Sequence, residues 1–408
     1  MNDHATTSPM HLGREMALTH ALACAFEALA DPTLRAPPPM DPVRAVVLGD
    51  PQAPICTLLE VFDHQGLLTK NGWLHPQVQI ICVGDYCDFP TDHSFEAGRQ
   101  GAAFLAWMAA HDPKQVVLLL GNHDVERVAS LGACTLVAFD EARTAAAHLL
   151  TLVTRDERKE FLTTWSERHP DHPPMVAAMD YHCFHPAQAP LLRRLLMSGR
   201  IGLAAVVTDL ITQSPALVTH AGVTRAIADG LSCDKTPQAL AVALNGLLHD
   251  AVNRVRPAWI RNDPVPLDLR PLYQTWEPLR PNGGLLIHRP CRDPSRDRHH
   301  HDLGLGESVL PRSVPPEEFL LPGLIQIVGH TRTARCPRLM GGWQGATPLA
   351  ETPGRPLVLE RDDAEAYRLV TISERSPGKF RSSVIFTDVA MATVPADVVE
   401  LLSVGVMS

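Results

Sequence analysis

Three short apolar runs punctuate the first third of the chain, and each breaks off at a glycine followed by polar residues. Val46-Val47-Leu48 leads to Gly49-Asp50, Ile80-Ile81-Cys82-Val83 to Gly84-Asp85, and the run 116–120 to Gly121-Asn122-His123-Asp124. Runs this short, apolar at every position, predict strands buried on both faces, as in a parallel sheet. Between them, residues 55–64 and about 94–110 carry helical spacing. The order is therefore βαβαβ with right-handed crossovers. Ligands of such sheets bind beyond the carboxyl ends of the strands, where these polar residues stand.

The rest of the chain fills in around this unit. Residues 10–30 have the spacing of an amphipathic helix that stops at Asp31-Pro32, and a proline-rich linker follows to Pro42. From 126 to about 202 the strand pattern lapses, and segments 138–152, 155–168 and 187–200 predict an inserted helical cap. Residues 203–209 and 215–220 read as paired strands, 224–280 as helical and proline-rich, and Gly283 to Arg289 as a short strand ending in two basic residues. Residues 290–316, with the run His299 to His301, predict a mobile surface loop, with a metal role for the histidines as the alternative. A buried strand at 324–328 delivers Gly329-His330, and 357–360, 367–372 and 383–387 have β periodicity that completes a second sheet. The expected division is an N-terminal helix and linker at 1–42 and one domain at 43–408, holding the insertion and the loop.

Composition narrows the class. At 408 residues and 45% hydrophobic, the chain is long enough and apolar enough for a sizeable core. A net charge of -9 excludes general affinity for nucleic acid or an anionic membrane, so neither is an expected partner. Nine cysteines without a CxxC pair predict a reduced, cytoplasmic chain. No signal-peptide core and no run of about 18 apolar residues is present.

The polar residues at the strand ends form one candidate constellation: Asp50, Gln52, Asp85, Asp88, Asn122, His123, His220 and His330. Carboxylates, imidazoles and an amide suit two divalent cations of hard to borderline character, one carboxylate bridging both. Two such ions, about 3.5 to 4 Å apart, clamp a phosphoryl group and activate water at neutral pH. The expected chemistry is phosphoester hydrolysis.

In order along the chain, Asp50-Pro51-Gln52, Gly84-Asp85-Tyr86-Cys87-Asp88, Gly121-Asn122-His123-Asp124, His220-Ala221-Gly222 and Gly329-His330-Thr331 resemble the signature of the calcineurin-like metallophosphoesterase superfamily. Thr387-Asp388-Val389 resembles that superfamily's last core strand. The resemblance implies an α/β fold, a two-sheet αββα sandwich of metallophosphoesterase type with a helical cap insertion. It implies that Asp50 and Gln52 hold a first metal, that Asp85 bridges, and that Asn122, His220 and His330 hold a second. His123 is then the general acid for the leaving oxygen, oriented by Asp88, while Asp124 is structural and caps the following helix. The implied cofactors are two divalent ions, manganese first, with iron or zinc as alternatives, and the implied partner is a phosphorylated substrate.

Two departures shape the expected substrate. Gln52 stands where most members carry histidine, and its amide oxygen, a harder ligand than imidazole, tilts the first site away from zinc. Phe89-Pro90 follow Asp88 where the phosphoprotein phosphatase branch has Arg-Gly, so the phosphate grip is assigned instead to Arg289. A nucleotide-like or small phosphoester is favoured. The alternatives are a serine/threonine phosphoprotein phosphatase and a metallophosphoesterase-fold binding module without catalysis.

Overall fold

The computed structural model describes residues 9–89, 92, 94–170, 183–273, 284–292, 312–340, 353–362, 367–375 and 380–406. The histidine run His299 to His301, with most of the expected 290–316 loop, lies outside them. Helix α1 (Pro9–Ala30) is followed by β1 (Arg44–Leu48), α2 (Ile55–His64), β2 (Val78–Cys82), α3 (Phe95–Ala110) and β3 (Val116–Leu119). The Ser94 hydroxyl accepts from the Ala97 N–H at the start of α3, a side-chain cap for one of four orphan donors.

Helices α4 (Asn122–Val128), α5 (Leu136–Thr151), α6 (Arg155–Arg168) and α7 (Gln188–Met197) come next. α5 and α6 form a satellite core of their own around Phe139, Leu149 and Leu162, with Phe139 stacked on Phe184 at 5.1 Å. α7 instead joins the main core through Leu191, Leu192 and Leu195. Strands β4 (Ile201–Gly202), β5 (Ala204–Asp209) and β6 (Ser214–Thr219) follow, then α8 (Arg225–Gly230) and α9 (Pro237–Ile260). Then come β7 (Arg289–Pro290), β8 (Ser313–Val314), β9 (Ile325–Val328), α10 (Cys336–Leu339), β10 (Leu357–Asp362), β11 (Tyr367–Thr371), β12 (Phe380–Phe386) and β13 (Leu402–Val404).

The chain is α/β with two mixed sheets. One has the order β13-β1-β2-β3-β4, the other β11-β10-β12-β9-β6-β5. In the first, β1, β2 and β3 run parallel. In the second, β6, β9 and β12 are adjacent and parallel. The period-2 alternation of strand side chains lets each sheet bury both faces. Val47, Ile81, Val83 and Leu119 meet Val207, Val218, Ile327 and Ile385 of the other sheet in one core cluster. Val46, Leu48, Ile80 and Cys82 point the opposite way, toward Phe62, Phe104 and Trp107 on α2 and α3. Each of those three rings, buried completely, contributes about 1.5–3 kcal/mol relative to exposure.

Among the described residues, one expected strand is absent. Residues 285–287 form a turn, and pairing begins only at Arg289, where β7 runs parallel to β8. Gly284 has φ +109, and a Cβ there would meet the Leu272 carbonyl oxygen at 2.4 Å, so the backbone is bent against residues 272 and 273. Leu285, Leu286 and Ile287 are fully buried by that packing. An apolar run records burial, and burial here comes without a ladder.

Candidate metal centre

Two sets of three parallel strands, one set from each sheet, end at one place. β1, β2 and β3 deliver Asp50, Asp85 and Asn122; β6, β9 and β12 deliver His220, His330 and Asp388, all six at most 5% exposed. Asp50, Asp85, His220 and His330 each offer one ligand atom to a group whose members lie within 4.8 Å of one another. Two of the anchoring residues sit in the left-handed region, Asp85 at φ 64 and His330 at φ 56. Such backbone costs of order 1–3 kcal/mol and is retained where surrounding contacts over-determine it.

Those contacts are specific. The His330 N–H donates to both Asp50 oxygens at 3.0 and 3.1 Å, and the His123 N–H donates to Asp85 Oδ1 at 2.9 Å. Asp124 accepts from the Asp85, Tyr86 and Gly121 N–H groups at 2.7, 3.0 and 3.0 Å, tying β2's exit to the start of α4. Burial pushes the Asp124 carboxyl up to about 7, against these three donors. A Cβ on Gly121 would stand 2.1 Å from Asp85 Oδ1, and one on Gly329 would stand 2.2 Å from Asp50 Oδ1. Only glycine allows the strands to bring the carboxylates this close.

The imidazoles are arranged as ligands. Nδ1 of His220 is 2.9 Å from the Val83 carbonyl oxygen and donates to it, which leaves Nε2 with a lone pair. That lone pair faces Asn122 Oδ1 at 3.0 Å and Asp85 Oδ2 at 3.5 Å. Nε2 of His330 donates to the Ile287 carbonyl at 3.1 Å, turning Nδ1 toward the group. Burial lowers the pKa of both rings, and for His330 the Arg289 guanidinium is the largest charge acting in the same direction. Burial, then the charges of Asp388 and Asp85, hold the Asp50 carboxyl well above the usual carboxylate range. Neutral nitrogens, an amide oxygen and crowded carboxylates converging in the interior are a donor set that fits a divalent cation.

Beside this group stands His123. Its Nδ1 meets Asp88 Oδ2 at 2.8 Å and its Nε2 is 3.8 Å from Asp85 Oδ2. Gln52 also reaches Asp85, at 3.1 Å, through its amide nitrogen. A half-turn of the amide places the oxygen there instead. Arg289 is half-buried at the start of β7, and its charge bears on His330 and on Asp388.

Two nearby residues have no place in the five motifs. Asp388 and Arg332 line a cavity of about 180 Å³ together with Asp50 and Gln52. Burial raises the Asp388 carboxyl, opposed first by Arg332. The signal for Asp388 was available: it follows a β12 run of the same apolar-then-acid form as β1 and β2. Arg332 lies two residues after His330 and resembles any surface arginine until the fold is known.

A scan against protein-family models matches none of them, and a search of curated proteins finds no match.

Proposed function

We propose that the protein is a metal-dependent phosphoester hydrolase of the calcineurin-like metallophosphoesterase type, its two sheets forming the αββα sandwich of that superfamily. The observation that carries the reading is the place of His123: one ring nitrogen on the buried carboxylate of Asp88, the other beside Asp85 of the metal-ligand group. A store or structural metal site has no need of an imidazole held in that way.

Asp50 and Gln52 would hold one ion and Asn122, His220 and His330 the other, with Asp85 as the shared carboxylate. When bound, two divalent ions supply Lewis acidity to the phosphoryl group and a water of lowered pKa. The protein's own contribution is orientation and proton transfer. Asp88 fixes the His123 ring, and His123 gives its proton to the departing oxygen. Arg289 and Arg332 supply positive charge for the phosphate oxygens. Oxygen donors at Asp50, Gln52 and Asp85 favour manganese at the first position, and the imidazoles at the second also suit iron or zinc. The substrate is a nucleotide-like or small phosphoester, since the segment after Asp88 is Phe89, a buried ring rather than a phosphate-gripping arginine. The domain at 43–408, with the helical insertion about 126–202, is the unit that performs this chemistry.

The test is metal-free protein reconstituted with manganese, iron, zinc or nickel and assayed on an aryl phosphate, a phosphopeptide and a dinucleoside polyphosphate. Metal-dependent hydrolysis of the first or third supports the reading. Stoichiometric metal binding with no hydrolysis of any would leave a binding module.

A further inference from the structure

Asp88 presents one oxygen to His123, and its other oxygen is held by a different part of the chain. Oδ1 of Asp88 accepts from the Cys183 backbone N–H at 3.1 Å and from the Cys183 thiol at 3.3 Å. Arg127 Nη2 stands 3.7 Å from the same oxygen and donates to the Cys183 carbonyl at 3.0 Å. All three residues are buried, with Asp88 and Arg127 each 1% exposed and Cys183 0%. Arg127 comes from α4, the helix that begins with Asn122 and His123, whereas Cys183 lies just before α7.

We propose that Arg127 and Cys183 are positioning residues that clamp Asp88 and, through it, set the orientation of the His123 ring. The inference rests on the phosphoesterase reading for its kinetic consequence, though not for its structural one. A carboxylate on a single hydrogen bond can swing about its Cα–Cβ and Cβ–Cγ bonds. Three donors or charges on Oδ1 remove that freedom and leave Oδ2 aimed at Nδ1. Burial raises the Cys183 thiol's pKa far out of the physiological range, so the sulfur keeps its proton and acts as a donor. The neighbouring backbone is anchored as well: Gln188 Nε2 donates to the Cys87 carbonyl at 2.9 Å and to the Gly98 carbonyl at 3.1 Å. Phe184, next to Cys183, stacks on Phe139 of α5. The clamp therefore ties the helical segment between β3 and β4 to the proposed acid. Through Cys183 and Asp88 a displacement there reaches the His123 ring.

The experiment compares wild type with Cys183→Ala and Cys183→Ser in two measurements. The first is the ¹⁵N signal of the His123 ring in labelled protein. Cys183→Ala is expected to shift it, and Cys183→Ser, which restores a donor, to return it. The second is turnover of an alkyl phosphate and of an activated aryl phosphate, with metal content measured in parallel. In Cys183→Ala the alkyl ester is expected to lose about tenfold in kcat at unchanged KM and metal content, and the aryl ester much less. An unchanged His123 signal in Cys183→Ala overturns the proposal, and so do equal losses on both esters. If wild type hydrolyses neither ester, the phosphoesterase reading fails, and the His123 signal still decides the clamp. Should Cys183→Ala not fold, Arg127→Lys keeps a charge but not the reach to both Asp88 and Cys183, and is read in the same two ways.

Discussion

Nε2 of His220 and Oδ1 of Asn122 face each other at 3.0 Å, although neither has a proton for the other once His220 Nδ1 has donated to Val83. With the amide oxygen toward the ring the pair is repulsive unless something positive lies between or beside the two atoms, whereas a half-turn of the Asn122 amide would let its nitrogen donate to Nε2. A cation relieves it, and so would protonation of Nε2, which burial opposes. Metal binding is therefore expected to stabilise the fold. At a free metal concentration one hundred times Kd, the gain is about 2.7 kcal/mol. Thermal unfolding in chelator and in excess manganese or zinc checks it; coincident melting curves would show that no ion occupies this position.

Asp85 lies against three other parts of the site, Gln52, His123 and His220. Asp85→Asn removes the charge while keeping the shape, and a neutral amide cannot serve two dications. Metal content by elemental analysis is expected to fall toward zero, and turnover by more than the roughly 10–100-fold usual for changes outside the ligand shell. Full metal occupancy in the variant would remove Asp85 from the bridging role.

Gln52 gives a test of metal choice. Gln52→His introduces a softer ligand at the same position, so affinity is expected to move toward zinc or iron without loss of the fold. Competition between manganese and zinc, read by elemental analysis of both proteins, decides it. An identical metal ratio would mean that residue 52 serves only as Asp85's hydrogen-bond partner.

The strand ends were legible because burial and chemistry coincide in short words: an apolar run, a glycine that permits close approach, then a ligand. Gly121 and Gly329 illustrate it, since each abuts the carboxylate of a different strand end. The converse cases failed for identifiable reasons. Residues 285–287 were apolar because a turn is buried, which periodicity cannot tell from a strand. Cys183 stands alone, 95 residues from Asp88, and only the folded chain joins them. The two-sheet convergence is half visible in the sequence: the runs of β1 to β3 and their acids form a unit there, whereas Asp388 stands only within a closing strand.

Far from the metal centre, His111 makes acid sensitivity predictable. Its Nδ1 donates to the Trp107 carbonyl at 2.9 Å and its Nε2 accepts from the Leu74 N–H at 3.2 Å, so the neutral ring is built into the core. Burial lowers its pKa to about 4. The unfolded chain, with an ordinary histidine pKa near 6.5, binds the proton more readily. Stability from this group is present above about pH 6.5 and is lost as pH falls toward 4, amounting to about 2 kcal/mol by pH 5. Urea unfolding of wild type and His111→Gln at pH 7 and pH 5 isolates the contribution. The variant is expected to be less stable at pH 7 but to lose less on acidification; equal losses would place the titration elsewhere.

His123 allows the most discriminating test, because its two nitrogens make opposite claims on its role. Nδ1 is committed to Asp88, while Nε2 stands 3.8 Å from Asp85 Oδ2, too far for a hydrogen bond. A ligand role would require Nε2 to face the metal as His220 does, whereas an acid role requires only that it reach the leaving oxygen. His123→Ala is therefore expected to keep its metal. Its turnover is expected to fall by about 10²- to 10⁴-fold for an alkyl ester, whose leaving alkoxide needs the proton. An activated aryl ester departs as a stable phenolate and is expected to lose far less. The ratio of the two losses carries the answer, because a misfolded site or a missing ion would slow both esters together. Equal losses, or metal loss in elemental analysis, would make His123 a ligand or a structural residue and leave the reaction without its acid.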